Sequence, residues 1–172
     1  MKMTTKIFAV VAVLLVALAV QPAKAGGGGA EAFEKLKSLV GHWETGKTNM
    51  NKATLDLQLT SGGTAVMETF RMVDEGKSVE MITMYYLDGD QIKLTHYCMA
   101  GNQPTMRGTY APETRTLTFA FAGATNMKTP NDGHMDHAVY TFVDNDHFKT
   151  RWTFQKDQKD TFTEDVTYLR VK

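Results

Sequence analysis

Apolar and polar residues alternate along most of the chain that follows residue 41. Side chains of a strand point to opposite faces in turn, so this period of two predicts strands with one buried face. The clearest runs at every second position are Leu55, Leu57, Leu59; Ile92, Leu94, His96, Cys98; Leu117, Phe119, Phe121; and Phe148, Thr150, Trp152, Phe154. The pattern predicts about ten strands, which start near Trp43, Ala53, Thr64, Ser78, Gln91, Thr105, Thr116, Met135, His147 and Thr161.

The links between these strands decide their arrangement. Most links are short and rich in Gly, Asn and Asp, which favours hairpins and an antiparallel meander. Ten strands in an open sheet would leave two exposed edges, whereas closure into a barrel removes both. The sequence therefore predicts an all-β fold, a closed antiparallel meander barrel that forms one domain over residues 30–172 and can enclose a small ligand.

A short helix is predicted before the first strand, over Ala30–Val40. Phe33, Leu36 and Val40 keep the spacing of one helical face. Gly41 directly follows, and a glycine at this position is typical of a helix end.

The first 25 residues have the three parts of a secretory signal. Lys2 and Lys6 precede an unbroken run of 14 apolar residues, and the motif Ala23-Lys24-Ala25 offers a cleavage site. The apolar run is shorter than the roughly 20 residues of a membrane span, so a membrane anchor is the weaker interpretation. We therefore expect export to the periplasm or the extracellular space, a flexible leader over residues 26–29, and no membrane span after cleavage.

Charge and cysteine content exclude several classes of function. Removal of the signal leaves 16 Lys and Arg against 19 Asp and Glu, so a basic nucleic-acid groove is not expected. A single cysteine, Cys98, excludes an internal disulfide and a thiolate zinc cluster. No metal site and no cofactor are predicted.

The junction Leu39-Val40-Gly41-His42-Trp43 resembles the opening of calycin barrels, the lipocalins and their relatives. The resemblance implies structural roles for Gly41 and Trp43, and an arginine on the last strand, here Arg170, that lies across the tryptophan. The stretches 94–104, 124–126 and 133–137 are similar to a group of uncharacterised secreted bacterial proteins of the same barrel type, and this likeness carries no activity. Nitrobindin-like haem barrels start similarly, but they hold haem through a histidine near the end of the chain, and here none follows His147.

Four residues are candidate polar contacts for a ligand inside the barrel: His96, Cys98, His137 and Glu164. His96 and Cys98 share the predicted inward face of one strand; they can contact a ligand, form a nucleophile pair, or leave His96 bonded to a neighbouring hydroxyl. Glu164 is predicted to be a buried carboxyl, either an acid–base group or the partner of Arg107 or Arg115 in a salt bridge. A metal site at His134-Met135-Asp136-His137 is disfavoured, because residues three apart on a strand face opposite sides.

Three aromatic residues, Phe119, Phe121 and Trp152, are predicted to form the apolar wall of the cavity. The leading hypothesis is an exported barrel that holds a small apolar or amphipathic molecule. The alternatives are an enzyme that uses Glu164 or His96 as a general base, and a packed barrel with a structural or interaction role in the cell envelope.

Overall fold

Ten antiparallel strands close into one barrel in this computed structural model, which describes residues 28–46 and 52–172. Each strand pairs with its neighbours in the chain, and the first strand closes the barrel against the last. In chain order the elements are α1 (Gly29–Ser38), β1 (Gly41–Thr45), β2 (Ala53–Thr60), a 3₁₀ turn (Ser61–Gly63), β3 (Ala65–Asp74), β4 (Lys77–Asp88), β5 (Gln91–Tyr97), β6 (Gln103–Ala111), β7 (Thr116–Thr125), β8 (His134–Phe142), β9 (His147–Lys156) and β10 (Lys159–Arg170).

The predicted fold class is confirmed, and every predicted strand begins within two residues of the observed start. The predicted signal over residues 1–25 and the first two residues of the leader lie outside the described residues. The helix begins at Gly29, one residue inside the predicted leader. A Cβ added there would lie 2.0 Å from the carbonyl oxygen of Asp90, so only glycine fits this contact between helix and barrel. The helix ends two residues before Val40, which is exposed.

Helix α1 covers one end of the barrel, where it packs against β4, β5 and β6. Ala32, Phe33 and Leu36 are buried there. The buried indole of Trp43 donates from Nε1 to the carbonyl oxygen of Leu39 at 2.7 Å, which joins the end of the helix to β1. No helix among the described residues is long and apolar enough to cross a membrane.

Arg170 completes this end of the barrel. Its Cζ lies 4.1 Å from the centroid of the Trp43 ring, the contact that the resemblance to calycin barrels implies. Its guanidinium also donates to the carbonyl oxygens of Ser38, Val40 and Asn145 at 2.7–2.9 Å. A Cβ on Gly41, which has φ +141°, would lie 2.7 Å from Nη1 of Arg170, so the glycine makes room for the guanidinium.

The half of the barrel next to α1 is filled with side chains, and we call it the closed half. Edge and stacked aromatic contacts fill it: ring centroids of Phe148 lie 4.7 Å from Trp43 and 4.9 Å from Tyr168. Phe119 and Tyr140 are fully buried in the same core, with ring centroids 6.1 Å apart. These aromatic contacts fill the closed half with side chains, as in an ordinary protein interior.

Candidate functional site

The opposite half of the barrel, which we call the open half, contains a cavity of about 970 Å³. This volume is near the upper end of the range typical of small-molecule sites. Sulfur-containing and aromatic side chains dominate its lining. The lining residues are Phe70, Met72, Met81, Cys98, Met99, Ala100, Met135, Phe154, Phe162, Thr163, Glu164, Asp165 and Thr167.

The mouth of the cavity lies at the ends of the strands remote from α1, and large apolar side chains lie at its rim. Phe162 on the rim is 48% exposed and stacks on Phe154, with ring centroids 5.4 Å apart. Met99, in the turn after β5, is 59% exposed. Large exposed apolar side chains around a concave opening are typical of a binding surface.

A small void of about 30 Å³ lies beneath the main cavity and shares four lining residues with it, Phe70, Met81, Met135 and Glu164. The volume is that of about one water molecule or one polar head group. Its other lining residues include Glu68, His96, Tyr140 and Trp152, so the apolar cavity ends on a polar floor.

A row of three polar side chains crosses the inner faces of three neighbouring strands at this floor. Glu68 on β3 is the register partner of Thr83 on β4, and Thr83 is the register partner of His96 on β5. The Thr83 hydroxyl oxygen lies 2.9 Å from Nδ1 of His96. All three residues are buried, so the row is a continuous polar chain inside an apolar barrel.

Glu68 is also held by two tyrosines. Its Oε2 lies within hydrogen-bond distance of the hydroxyl oxygens of Tyr85 at 2.8 Å and Tyr140 at 3.0 Å, and the two hydroxyl oxygens are 2.5 Å apart. The three oxygens form a triangle with three close contacts, and the two phenols supply only two protons. A hydrogen bond at every contact therefore requires that the Glu68 carboxyl is protonated. Burial raises the pKa of Glu68 to about 7, against the opposing effect of the tyrosine and threonine hydrogen bonds.

His96 has one free nitrogen at the floor. Burial lowers its pKa to about 4, so the ring is neutral at pH 7. Its Nδ1 faces Thr83, but Nε2 is buried without a hydrogen-bond partner among the described residues. The ring of Trp152 packs beside it, with centroids 5.0 Å apart. A buried imidazole nitrogen without a partner is costly unless something binds to it.

Glu164 stands at the junction of the two spaces and lines both. Burial raises the pKa of its carboxyl. Among the described residues it forms no salt bridge, so the predicted pairing with Arg107 or Arg115 is wrong. The reason is geometric: Arg107 points outward from β6, and Arg115 follows the turn after that strand at the closed end.

No protein-family model matches the chain, and no curated protein matches it. Two solved structures share the barrel fold. The crystal structure of Rv2717c from M. tuberculosis has a TM-score of 0.58 at 14% identity, over 82% of this chain and 98% of that one. A protein of unknown function from the DUF3598 family of Nostoc punctiforme has a TM-score of 0.51 at 12% identity, over 79% of this chain and 49% of that one. At these identities the likeness shows the fold alone.

Four of the seven predicted ligand contacts come together around the cavity. Cys98 and Glu164 line the main cavity, while His96, Trp152 and again Glu164 line the void beneath it. Burial raises the pKa of the Cys98 thiol, and its Sγ accepts the backbone N–H of Ala100 at 3.4 Å. Burial outweighs this hydrogen bond, which by itself favours the thiolate, so the thiol is held neutral and the nucleophile pair with His96 is not supported.

The other three predicted contacts lie elsewhere. Phe119 faces inward but belongs to the filled closed half. Phe121 is half-buried and packs against His134 with the rings tilted and their centroids 4.4 Å apart, and it lines neither space. His137 is exposed on the outer face beside Asp136, because a bulge between Met135 and His137 inverts the alternation of β8. No group of three His, Cys, Asp or Glu residues within the described ranges is placed to hold a metal ion.

The alternation of apolar and polar residues did not identify Glu68, Thr83, Tyr85 or Tyr140 as candidate site residues. Counting residues outwards from each two-residue turn identifies the register that places the three polar residues side by side. Glu68 lies seven residues before the turn Glu75-Gly76 and Thr83 seven after it. Thr83 in turn lies six residues before the turn at 89–90, and His96 lies six after it. The register of two tight hairpins therefore contained the signal.

Proposed function

We propose that this protein binds a small, largely apolar molecule in the open half of its barrel. The observation that carries the proposal is the cavity of about 970 Å³, lined by Met and Phe side chains and closed below by a polar floor. Methionine is flexible and adapts to irregular ligands, while a few converging polar groups fix orientation. The filled closed half supports this by giving the site a rigid base.

The proposal is tested with a neutral apolar fluorophore, N-phenyl-1-naphthylamine, titrated against the purified protein. Met81 lines the cavity, whereas Met84 on the same strand points to the outer face of β4. We expect Met81→Trp to weaken binding of the fluorophore by about tenfold or more, because the indole occupies part of the cavity. Met84→Trp is the matched control and should leave the affinity unchanged.

Two results would contradict the proposal. One is a wild-type protein that leaves the fluorophore unbound. The other is equal weakening by the two Trp variants, which would place the bound fluorophore outside the cavity. Thermal unfolding of both variants, measured in parallel, separates lost binding from lost folding. Saturation with a true ligand should also raise Tm, since binding to the folded state alone stabilises it.

Export belongs to the same proposal and rests on the signal pattern of residues 1–25. Mass spectrometry of the protein recovered from its host should give a chain that begins at Gly26. A chain that retains the apolar run would contradict cleavage, and recovery from the cytoplasm would contradict export.

Acid–base catalysis is a second candidate, favoured by the raised pKa of Glu164 at the junction of the two spaces. The two functions differ in what happens to the bound molecule. Mass spectrometry of a ligand recovered after incubation should show an unchanged mass for a binding protein. A product formed by the wild type but not by Glu164→Gln would establish the enzyme instead.

A further inference from the structure

We propose that the ligand carries a positively charged ammonium group, which the carboxylate of Glu164 binds beside the aromatic rings of Trp152, Phe154 and Phe162. This inference rests on the proposed function and specifies its ligand class. Glu164 lines both the main cavity and the small void beneath it. Among the described residues its carboxyl forms no salt bridge. A carboxyl that faces a cavity without an ionic partner of its own is available to a cationic ligand.

The register of β9 and β10 places three aromatic rings next to this carboxyl. Trp152 is the register partner of Glu164, and Phe154 is the partner of Phe162, which lies two residues away on β10. Residues two apart on a strand share a face, and all four side chains line one of the two spaces. The stacked rings of Phe154 and Phe162 therefore adjoin the pair of Trp152 and Glu164. Aromatic faces attract cations, and groups of such rings recognise ammonium ligands.

The charged side chains that line the two spaces are all acidic: Glu68, Glu164 and Asp165. None of the described residues lining either space is Lys or Arg. Asp165 is paired with Arg151, and Glu68 contacts two tyrosines, so Glu164 is the carboxyl left for a ligand. Burial is the cause that raises the pKa of Glu164, and no positive side chain opposes it. An ammonium group supplies the missing charge, whereas an anionic head group would be desolvated next to like charges.

The small void fits a water molecule better than the head group. Two buried side-chain atoms of its lining residues, Nε2 of His96 and Oγ1 of Thr150, have no hydrogen-bond partner among the described residues. The void of about 30 Å³ has the volume of one water molecule, which can donate to or accept from either atom. An ammonium group with its carbon chain is larger, so it is placed in the main cavity, at Glu164.

The test compares three probes with one chain length and different ends: decylamine, 1-decanol and decanoate. Each displaces N-phenyl-1-naphthylamine at pH 7, where the amine is cationic. Glu164→Gln removes the negative charge and keeps the shape of the side chain. We expect it to weaken binding of decylamine by about 5- to 10-fold and to change the affinity of 1-decanol by less than about twofold. Binding of decanoate should become tighter, because a like charge is removed.

Glu80→Gln is the matched control, because it removes the same charge elsewhere. Glu80 on β4 is exposed, pairs with Arg71 and lines neither space, so all three affinities should stay unchanged. If Glu164→Gln does not fold, ¹³C-carboxyl spectra of the wild type give an independent answer. Saturation with decylamine should lower the pKa of Glu164, since an adjacent cation favours the carboxylate, and saturation with 1-decanol should not lower it.

Each contrary result has a distinct meaning. A decylamine affinity that Glu164→Gln leaves unchanged, or that both Gln variants lower equally, overturns the ammonium proposal while the binding function stands. A pKa of Glu164 that decylamine does not lower also overturns it. Tightest binding of decanoate by the wild type does the same and identifies an anionic head group. Failure of every probe, together with the fluorophore, refutes the binding function itself.

Discussion

The two halves of the barrel are built from the same ten strands but differ in what fills them. On β9, Phe148 is fully buried between Trp43 and Tyr168, whereas Phe154, six residues on, lines the cavity. In the closed half a Cβ on Gly108 would lie 2.6 Å from Ile92 and 2.7 Å from Phe119. Close packing stabilises the fold, and the open half contributes less stability in exchange for space.

The floor between the halves explains how one barrel supports both. At this floor Glu68, Tyr85 and Tyr140 are hydrogen-bonded to one another, and Thr83 is hydrogen-bonded to His96. A satisfied buried network is rigid and specifies one arrangement. Two buried side-chain atoms of residues that line the small void, Nε2 of His96 and Oγ1 of Thr150, have no hydrogen-bond partner among the described residues.

The largest expected effect sharpens the contrast between the two phenylalanines of β9. Phe148→Ala should lower the free energy of unfolding by about 3–5 kcal/mol, because it leaves a cavity among rings that cannot collapse. Phe154→Ala should cost about 1 kcal/mol, since the ring is only partly buried, and it should weaken binding of the fluorophore. Urea unfolding of both variants measures the difference.

Equal destabilisation by these two substitutions would contradict the proposed difference between the halves, because it would show that the open half is packed as tightly as the closed one. The slope of the urea transition should stay unchanged in both variants, which checks that folding remains two-state.

The second expected effect concerns the floor and depends on pH. The pKa of His96 is about 4 when folded and 6.5 ordinarily, so its stabilising contribution is complete above pH 6.5 and is lost as pH falls towards 4. The pKa of Glu68 is about 7 when folded and 4.5 ordinarily, so its contribution is complete below pH 4.5 and is lost as pH rises towards 7. Each amounts to about 3 kcal/mol.

These slopes oppose each other between pH 4.5 and 6.5, so they cancel in the wild type. Relative to the wild type, the free energy of unfolding of Glu68→Gln should rise as pH increases from 4.5 to 6.5. That of His96→Phe should fall over the same range. Burial raises the pKa values of Tyr85, Tyr140 and Tyr168 above their ordinary 10, so these neighbours stay neutral throughout. Glu164 also faces the network, and its titration is common to the variants and the wild type. Parallel curves for all three proteins would show that the floor is not desolvated.

The barrel itself was predictable from the sequence because two physical signals agree. Alternation identifies strands, and short turns connect neighbours, so β2 through β5 follow directly from hairpin counting. Neither alternation nor turn length indicates where along the barrel axis an inward side chain lies. Phe119 and Phe148 alternate in the same way as Phe154, and whether an inward ring meets other rings or empty space depends on all ten strands at once.

An interruption of the alternation in β8 accounts for the difference between the predicted and the observed position of His137. At β8 the alternation is interrupted at Asp136, so Met135 faces the cavity and His137 faces outward. A bulge adds one residue to one strand, and nothing in the sequence His134-Met135-Asp136-His137 marks which residue is extra. The prediction for His137 therefore failed where the backbone departs from the regular period.

The smallest expected effect concerns Arg170 at the closed end of the barrel, whose contacts should affect stability but not ligand binding. Arg170→Lys keeps the positive charge near Trp43 but loses the planar fork that reaches three backbone carbonyls. We expect a loss of about 1–2 kcal/mol in the free energy of unfolding, with the fluorophore affinity unchanged. Arg151→Lys is the matched control, because Arg151 forms an exposed pair with Asp165 and should cost about 0.5 kcal/mol or less. A change in fluorophore affinity for Arg170→Lys would show that the two halves are coupled, since the substituted side chain lies at the end of the barrel opposite the cavity.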